Sequence, residues 1–379
     1  MARAAKLSVK DRNPVLSFQE FLKALLATGQ VGAVLVPQHL AAKSAVMPTL
    51  VTDPEKLGEA DPFAPAFPMN AARLLARLTR KPTGGLVAAV LRPCEIRAFV
   101  ELVKLKQGSL DEVLLIGADC SGAFRNIDYA GYAGSRGIES TLKFHADLPG
   151  QAEADGVGLS PACKACEYPV AENADLMVCT FGMDVFDSMM VKANTTRGEE
   201  VLEKMKLPEA TLPASRDEAV AAVIAARTAY RDRMFQETSD ATADIEKLMS
   251  YLSNCVNCYN CRVACPVCYC RECVFLTDVF DHEPEQYLRW AKRKGVIKMP
   301  TDTVFFHLTR LAHMSTACIG CGQCSNACPN NVPVMELFRT VAHYTQRAFQ
   351  YNAGASIEDE PPLSVFRERE FPEVTGGKE

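Results

Sequence analysis

Two cysteine runs carry chemistry by their spacing alone. The first reads Cys255-Val-Asn-Cys258-Tyr-Asn-Cys261-Arg-Val-Ala-Cys265-Pro266. The second reads Cys318-Ile-Gly-Cys321-Gly-Gln-Cys324-Ser-Asn-Ala-Cys328-Pro329. Each is a C-x2-C-x2-C-x3-C-P run, the pattern that binds a [4Fe–4S] cubane. Three closely spaced thiolates wrap one corner of the cluster, because each two-residue loop turns the backbone around it. The fourth Cys lies beyond that loop and points elsewhere. The proline after it fixes the local backbone and removes one donor. Paired zinc knuckles are the alternative, but a zinc knuckle needs neither the third Cys nor the trailing Cys-Pro.

The first run continues as Cys265-Pro-Val-Cys268-Tyr-Cys270-Arg-Glu-Cys273. These extra thiols either hold a further metal, replace a presumed ligand, or pack as small apolar residues. Cys179 is a weaker candidate as the fourth ligand of an additional cluster. His307 and His313 precede Cys318 on a helical stretch, where they either tune a cluster or are ordinary core or surface histidines. Tyr287 and Trp290 are expected to pack the helices between the two runs.

The elements that must position these residues follow from composition and periodicity. The chain has 379 residues, enough for two or three domains, and sixteen cysteines in metal-type spacings, which imply a reducing, cytoplasmic compartment. A net charge of −5 argues against nucleic acid as the main partner. The N-terminal segment has no apolar stretch of signal-peptide type, and no apolar run is long enough to span a membrane. Apolar runs at 31–36, 86–91 and 113–116 read as buried strands. They alternate with helical patterns at 18–26, 71–79 and 95–106, which suggests a mostly parallel α/β layer. Further strands are expected at 176–180 and 188–193, then a helix over 198–206. Residues 48–68 read as irregular loop, and the Gly-rich stretch 121–160 is left unassigned. A Pro-containing linker at 207–214 leads into a long helix at 216–236. The two cysteine runs are separated by helical stretches at 285–292 and 304–315, and 334–350 reads as a closing helix. The expected division is an α/β domain at 15–206, a linker and helix at 207–244, a mainly helical two-cluster domain at 245–350, and an acidic, disordered tail at 351–379.

Those helical spacers resemble the α-helical ferredoxin domain of the C subunit of heterodisulfide reductases and of the iron–sulfur subunit of succinate dehydrogenases. That resemblance implies an exchange of fourth ligands. Cys255, Cys258 and Cys261 would share one cubane with Cys328, and Cys318, Cys321 and Cys324 the second with Cys265.

The N-terminal half carries a second set of signals: Arg92-Pro93-Cys94-Glu95-Ile96, Ile116-Gly-Ala-Asp-Cys120, Cys163-Lys-Ala-Cys166 with the stretch CKACEYPVAENADLMVCTFG, and TTRGEEVLEKMK. Together they resemble the β subunit of coenzyme F420-reducing hydrogenases and F420-dependent formate dehydrogenases, over about residues 15–206. By that resemblance Cys94, Cys120, Cys163 and Cys166 hold a third [4Fe–4S] cluster. Two single cysteines at predicted strand ends plus one C-x2-C do supply four thiolates at the carboxyl edge of a parallel sheet. Alternatively Cys94 and Cys120 are buried core thiols. The family's FAD remains open, because the chain departs from the pattern where a Gly-Gly segment opens the family. It has Pro14-Val-Leu-Ser-Phe18 there, and Asp61-Pro62-Phe63 in the following loop. No G-x-G-x-x-G or phosphate-loop run is present.

The expected function is an iron–sulfur electron-transfer subunit of a formate dehydrogenase, hydrogenase or heterodisulfide reductase-type complex. It would carry no catalytic residues of its own and would relay electrons between a catalytic partner subunit and a carrier or another subunit. A flavoenzyme that reduces coenzyme F420 or another diffusible carrier, and an iron–sulfur redox sensor, are the alternatives.

Overall fold

The structure is a computed structural model and describes residues 3–147, 153–270 and 272–364. In chain order its N-terminal half contains β1 (Ala4–Ser8), α1 (Pro14–Ala27), β2 (Ala33–His39), β3 (Val46–Val51), α2 (Ala72–Leu78), β4 (Val87–Leu91), α3 (Pro93–Lys104) and β5 (Val113–Ala118). Next come α4 (Asn126–Ala133), α5 (Ile138–Asp147), a small hairpin of β6 (Glu153–Ala154) and β7 (Val157–Gly158), α6 (Pro161–Lys164), β8 (Leu176–Cys179), β9 (Ser188–Ala193) and α7 (Thr196–Met205). The remainder is helical: α8 (Ser215–Ala241), α9 (Ile245–Tyr251), α10 (Asn260–Ala264), α11 (Pro284–Lys294), α12 (Thr303–Met314), α13 (Gln323–Asn326) and α14 (Val334–Ala348). No helix among the described residues is long and apolar enough to cross a membrane.

Seven strands form one sheet in the order β1-β9-β8-β5-β4-β2-β3. The sheet is mixed, and the expectation of a mostly parallel one holds only for its centre. There β2, β4, β5 and β8 run parallel. The flanking pairs β2–β3, β8–β9 and β1–β9 are antiparallel. The loops joining β2 to β3 and β8 to β9 are too short for the crossover that parallel neighbours need. β4 and β5 are buried along their whole length, as central strands covered on both faces must be.

The stretch expected to be irregular and the unassigned one both contain regular elements, though residues 148–152 of the second lie outside the described residues. Strand β3 lies within the first, where Pro48 masks its strand pattern. Pro37 and Pro48 stand directly opposite each other in the β2–β3 register. Neither needs a ladder donor there, because β2 leaves its parallel pairing with β4 after Leu35. The second stretch folds into α4, α5 and the small hairpin around Phe124, Tyr132 and Phe144. The segment expected to be a free linker at 207–214 is tied to β1. Lys6 N–H donates to the Pro208 carbonyl at 2.9 Å, and Ala210 N–H donates to Ala4 at 3.0 Å.

The C-terminal helices enclose their own core of Leu252, Phe275, Phe306, Leu311, Leu337 and Phe338. Tyr287 and Trp290 do not join it. They pack edge-on with His282 on α11, a helix with no buried residue. The start of the expected tail is also fixed. Ala353 is buried, Arg97 Nη2 donates to its carbonyl at 2.6 Å, and Gly354 N–H donates to Glu101 Oε1 at 2.6 Å. Residues 365–379 of that tail lie outside the described residues.

Candidate functional site

The two cysteine runs fold alike. In each, the residues two and four positions after the first Cys have positive φ: Asn257 (50°) and Tyr259 (59°), then Gly320 (71°) and Gly322 (78°). Those left-handed residues curl the backbone so that successive thiols face a common centre, and a short helix, α10 or α13, starts immediately after. A left-handed Tyr is costly. Tyr259 is held by ring packing 4.7 Å from Phe306 and by an Oη–Asp302 contact of 3.4 Å.

The thiols gather across the runs. Cys255 faces Cys258 and Cys328, and Cys261 faces Cys255, Cys258 and Cys328. Cys265 faces Cys318, while Cys321 and Cys324 both face Cys265 and Cys318. Cys255, Cys258, Cys261 and Cys328 line one small cavity, so the fourth Cys of the second run lies near the first three of the first.

A third set forms at the carboxyl edge of the sheet. Cys94 stands in the first turn of α3, just past β4, and Cys120 just past β5. Cys163 on α6 and Cys166 after it come in from the Gly-rich segment. Cys94 faces Cys120 and Cys166, and Cys163 faces Cys120 and Cys166. Arg92 anchors this edge by donating from Nη2 to the carbonyls of Ala64 and Ala66, both at 2.6 Å.

Donors are aimed at the sulfurs. Ala123 N–H reaches Cys163 Sγ at 3.3 Å, and Val332 N–H reaches Cys328 Sγ at 3.4 Å. Arg310 Nη1 reaches Cys261 Sγ at 3.1 Å, and His307 Nε2 lies 3.4 Å from Cys255 Sγ. Sequence reasoning left His307 undecided and missed Arg310 and Arg92. A signal was present: His307 and Arg310 are three apart on the face of α12 that also buries Phe306, Leu311 and Met314. Burial, then the neighbouring thiols, pushes Cys261 up to about 11 against the pull of Arg310, and raises Cys324 well above the ordinary thiol range. Gathered thiols need a positive centre before all can be thiolates, and bound metal supplies one.

Among the described residues no three His, Cys, Asp or Glu converge as ligands of a single ion. A cubane takes one thiolate at each iron, so its four ligands surround a volume and do not meet at a point. The three four-thiol sets fit that geometry.

The sets lie in sequence. Cys94 of the sheet-edge set faces Cys321 of the next. The two loops also touch: a Cβ on Gly322 would stand 2.3 Å from that of Ala162. Arg310 Nη1 contacts Cys261 Sγ at 3.1 Å, and its charge also acts on Cys265, Cys324 and Cys268. The remaining thiols stand apart from these groups of four. Cys268 lies beside Cys265, Cys270 is exposed, and Cys273 packs on the helical core. Cys179 is fully buried in the sheet core, with Sγ 3.7 Å from the Met177 carbonyl oxygen.

Two of the cavities that adjoin the line bear on what could bind there. One, beside Cys120 and lined by Phe63, Arg92, Phe144 and His145, has about 20 Å³. That is room for about one water. Pro62 and Phe63 are among its walls, and a flavin does not fit in that volume. The other is an open groove of about 260 Å³ over Cys318, with Arg97, Arg231, Arg339 and Arg347 in its walls. Its one carboxylate, Glu167, pairs with Arg231 at 3.1 Å and with Arg339.

Comparison with known proteins agrees with this two-part construction. Residues 85–211 match the family model for the C terminus of the coenzyme F420 hydrogenase/dehydrogenase β subunit, and residues 251–332 match the 4Fe–4S dicluster domain. The F420-dependent formate dehydrogenase subunit beta of Methanocaldococcus jannaschii is 26% identical over 348 residues, covering 85% of this chain and 86% of that protein. The F420-dependent formate dehydrogenase 1 subunit beta of Methanococcus maripaludis is 25% identical over 378 residues, covering 90% and 91%. A solved F420-reducing [NiFe] hydrogenase complex from Methanosarcina barkeri matches 64% of this chain and 94% of its own at 14% identity, with a TM-score of 0.44, a likeness too loose to carry an argument. The chain joins the C-terminal domain of a coenzyme F420 hydrogenase/dehydrogenase β subunit to a 4Fe–4S dicluster domain.

Proposed function

We propose that this chain is the iron–sulfur electron-transfer subunit of a formate dehydrogenase-type complex, and that it works beside a separate catalytic subunit in the cytoplasm. The observation that carries this reading is the contiguous series of three four-thiol sets, each with a member facing the next or sharing Arg310 with it. Cys94, Cys120, Cys163 and Cys166 would hold the first cubane. Cys265, Cys318, Cys321 and Cys324 would hold the second, and Cys255, Cys258, Cys261 and Cys328 the third. Bound cubanes supply one-electron carriers at each position. The chain's own residues set their spacing, keep water from the inner sulfurs, and aim N–H donors and cations at them, which is how a protein adjusts cluster potentials.

The line has two approaches. Cys258 is exposed at one end, and Cys318 borders the Arg-rich groove near the middle. A tightly held flavin is not part of the proposal, because the strand-edge cavity lacks the room.

The test is anaerobic purification of the full chain with iron and sulfide analysis. Three cubanes require about twelve iron atoms and two require about eight. Cys321→Ser and Cys163→Ser should each remove one cluster's iron while leaving the others. Iron content unchanged in both variants sinks the ligand assignment. A preparation with bound flavin that reduces a deazaflavin without any partner subunit would favour a self-standing flavoenzyme instead.

A further inference from the structure

Among the described residues, one buried cation in the helical domain has no carboxylate within ion-pair distance. Arg310 on α12 is 4% exposed. Its Nη1 donates to Cys261 Sγ at 3.1 Å and its Nη2 to the Cys261 carbonyl at 3.2 Å, while Nε has no partner. Its guanidinium carbon lies 4.6 Å from the Phe338 ring centre and 5.5 Å from that of Phe306. The ionisable groups that act on it are thiols, and one of them, Cys268, belongs to neither proposed centre. Cys261 belongs to one proposed centre, and Cys265 and Cys324 belong to the other. A buried guanidinium is stable only beside negative charge, and the helical core around it is apolar. Free thiols do not supply that charge at neutral pH. Thiolates bound to iron do, and a thiolate-ligated cubane keeps net negative charge.

We propose that Arg310 is a positioning residue for electron storage, its single charge serving the two adjacent cluster centres of the helical domain at once. The proposal rests on the ligand sets given above. When dithionite delivers one electron to either centre, that centre gains one negative charge and Arg310 stays protonated. A fixed cation at this distance favours the added electron. It therefore raises the reduction potential of both centres and reduces the repulsion between them when both hold an electron. The planar fork suits this place better than an ammonium would. It bonds a sulfur and a carbonyl in one plane while its faces pack on two aromatic rings. The sheet-edge centre lacks this influence, since none of the thiols facing Arg310 belongs to it.

The experiment is a dye-mediated redox titration of the loaded full chain, followed by electron paramagnetic resonance, for the wild type, Arg310→Met and Arg310→Lys. Met keeps the length and apolar packing and removes the charge. Its two helical-domain centres should each become at least tenfold harder to reduce, a shift of about 59 mV for a one-electron couple. The sheet-edge centre should not move. Arg310→Lys should stay within threefold of wild type at both centres. Equal shifts at all three centres, or no shift in Arg310→Met, overturn the proposal. If Arg310→Met loses iron, the Lys variant decides: potentials near wild type support a charge role, and a drop beyond threefold overturns it. A wild-type chain that fails to load the two helical-domain centres would refute the ligand reading itself, an outcome visible before any variant is compared.

Discussion

Gly322 is where the sheet-edge set of thiols and its neighbour in the helical domain press together, and replacing it tests that junction. Its φ is 78°, and a Cβ there would sit 2.3 Å from Ala162 Cβ and 3.8 Å from Ala162 Cα. Two costs follow from Gly322→Ala. The left-handed backbone costs a non-glycine residue about 1–2 kcal/mol. Overpacking a buried contact costs about 1–3 kcal/mol more. Ala162 has little freedom to retreat: it is 5% exposed, precedes Cys163 on α6, and packs with Phe235 and Met335. Gly322 is pinned in turn by Cys321. The sum, about 2–5 kcal/mol, is a large part of a typical domain's stability. The assay is the urea midpoint of the loaded protein, followed by visible absorbance under anaerobic conditions. The full cycle uses wild type, Gly322→Ala, Ala162→Gly and the double variant. Removing the opposing methyl should recover the packing part and leave the backbone part, so the coupling should be about 1–3 kcal/mol. A Gly322→Ala midpoint equal to wild type, or a double variant showing no coupling, would refute the close approach of the two loops.

Asp119 offers a second test, since its carboxylate bonds Arg216 at 2.5 and 2.9 Å and the Thr180 N–H at 2.7 Å, all buried. Asp119→Asn leaves the guanidinium uncompensated and should cost about 3–5 kcal/mol; a loss under about 1 kcal/mol in denaturant unfolding contradicts the pairing. Truncation after Gln350 should lower the melting temperature, because it strips the partners of Arg97 and Glu101 and uncovers the site filled by Ala353; an unchanged temperature would mean that segment is a loose tail. Desolvation holds the His145 imidazole below the usual histidine range, against a weaker contact with the Phe63 carbonyl at 3.2 Å. The unfolded chain therefore takes up a proton near pH 6.5 before the folded one does, and stability should fall as pH drops from about 6.5 toward the lowered folded value. His145→Phe should remove that slope, and an identical pH profile in the variant would show that His145 does not report it.

The cysteine runs were legible because their chemistry is local. A C-x2-C-x2-C spacing needs only left-handed residues at fixed offsets, and the structure has them at Asn257, Tyr259, Gly320 and Gly322. β4 and β5 were legible because strands covered on both faces are continuously apolar. β3 was hidden by Pro48, whose lack of an N–H is harmless because β3 is the edge strand of the sheet. Helices α4 and α5 were hidden by the glycines around them, and the anchoring of residues 351–355 by partners more than two hundred positions away.

The sequence by itself determined which residues are thiols, their grouping into runs, and the turn geometry within each run. Only the tertiary structure decided which of the distant thiols come near one another. Cys94 and Cys120 come together because β4 and β5 are parallel neighbours that end at the same edge, and Cys163 arrives on a helix packed against the helical domain. Arg310 was marked in the sequence only by its place on the apolar face of α12, and nothing local said what it would meet there. Its burial follows from the rotation of α12 against Phe338 and the Cys261 loop, and that rotation is set by packing rather than by any local pattern.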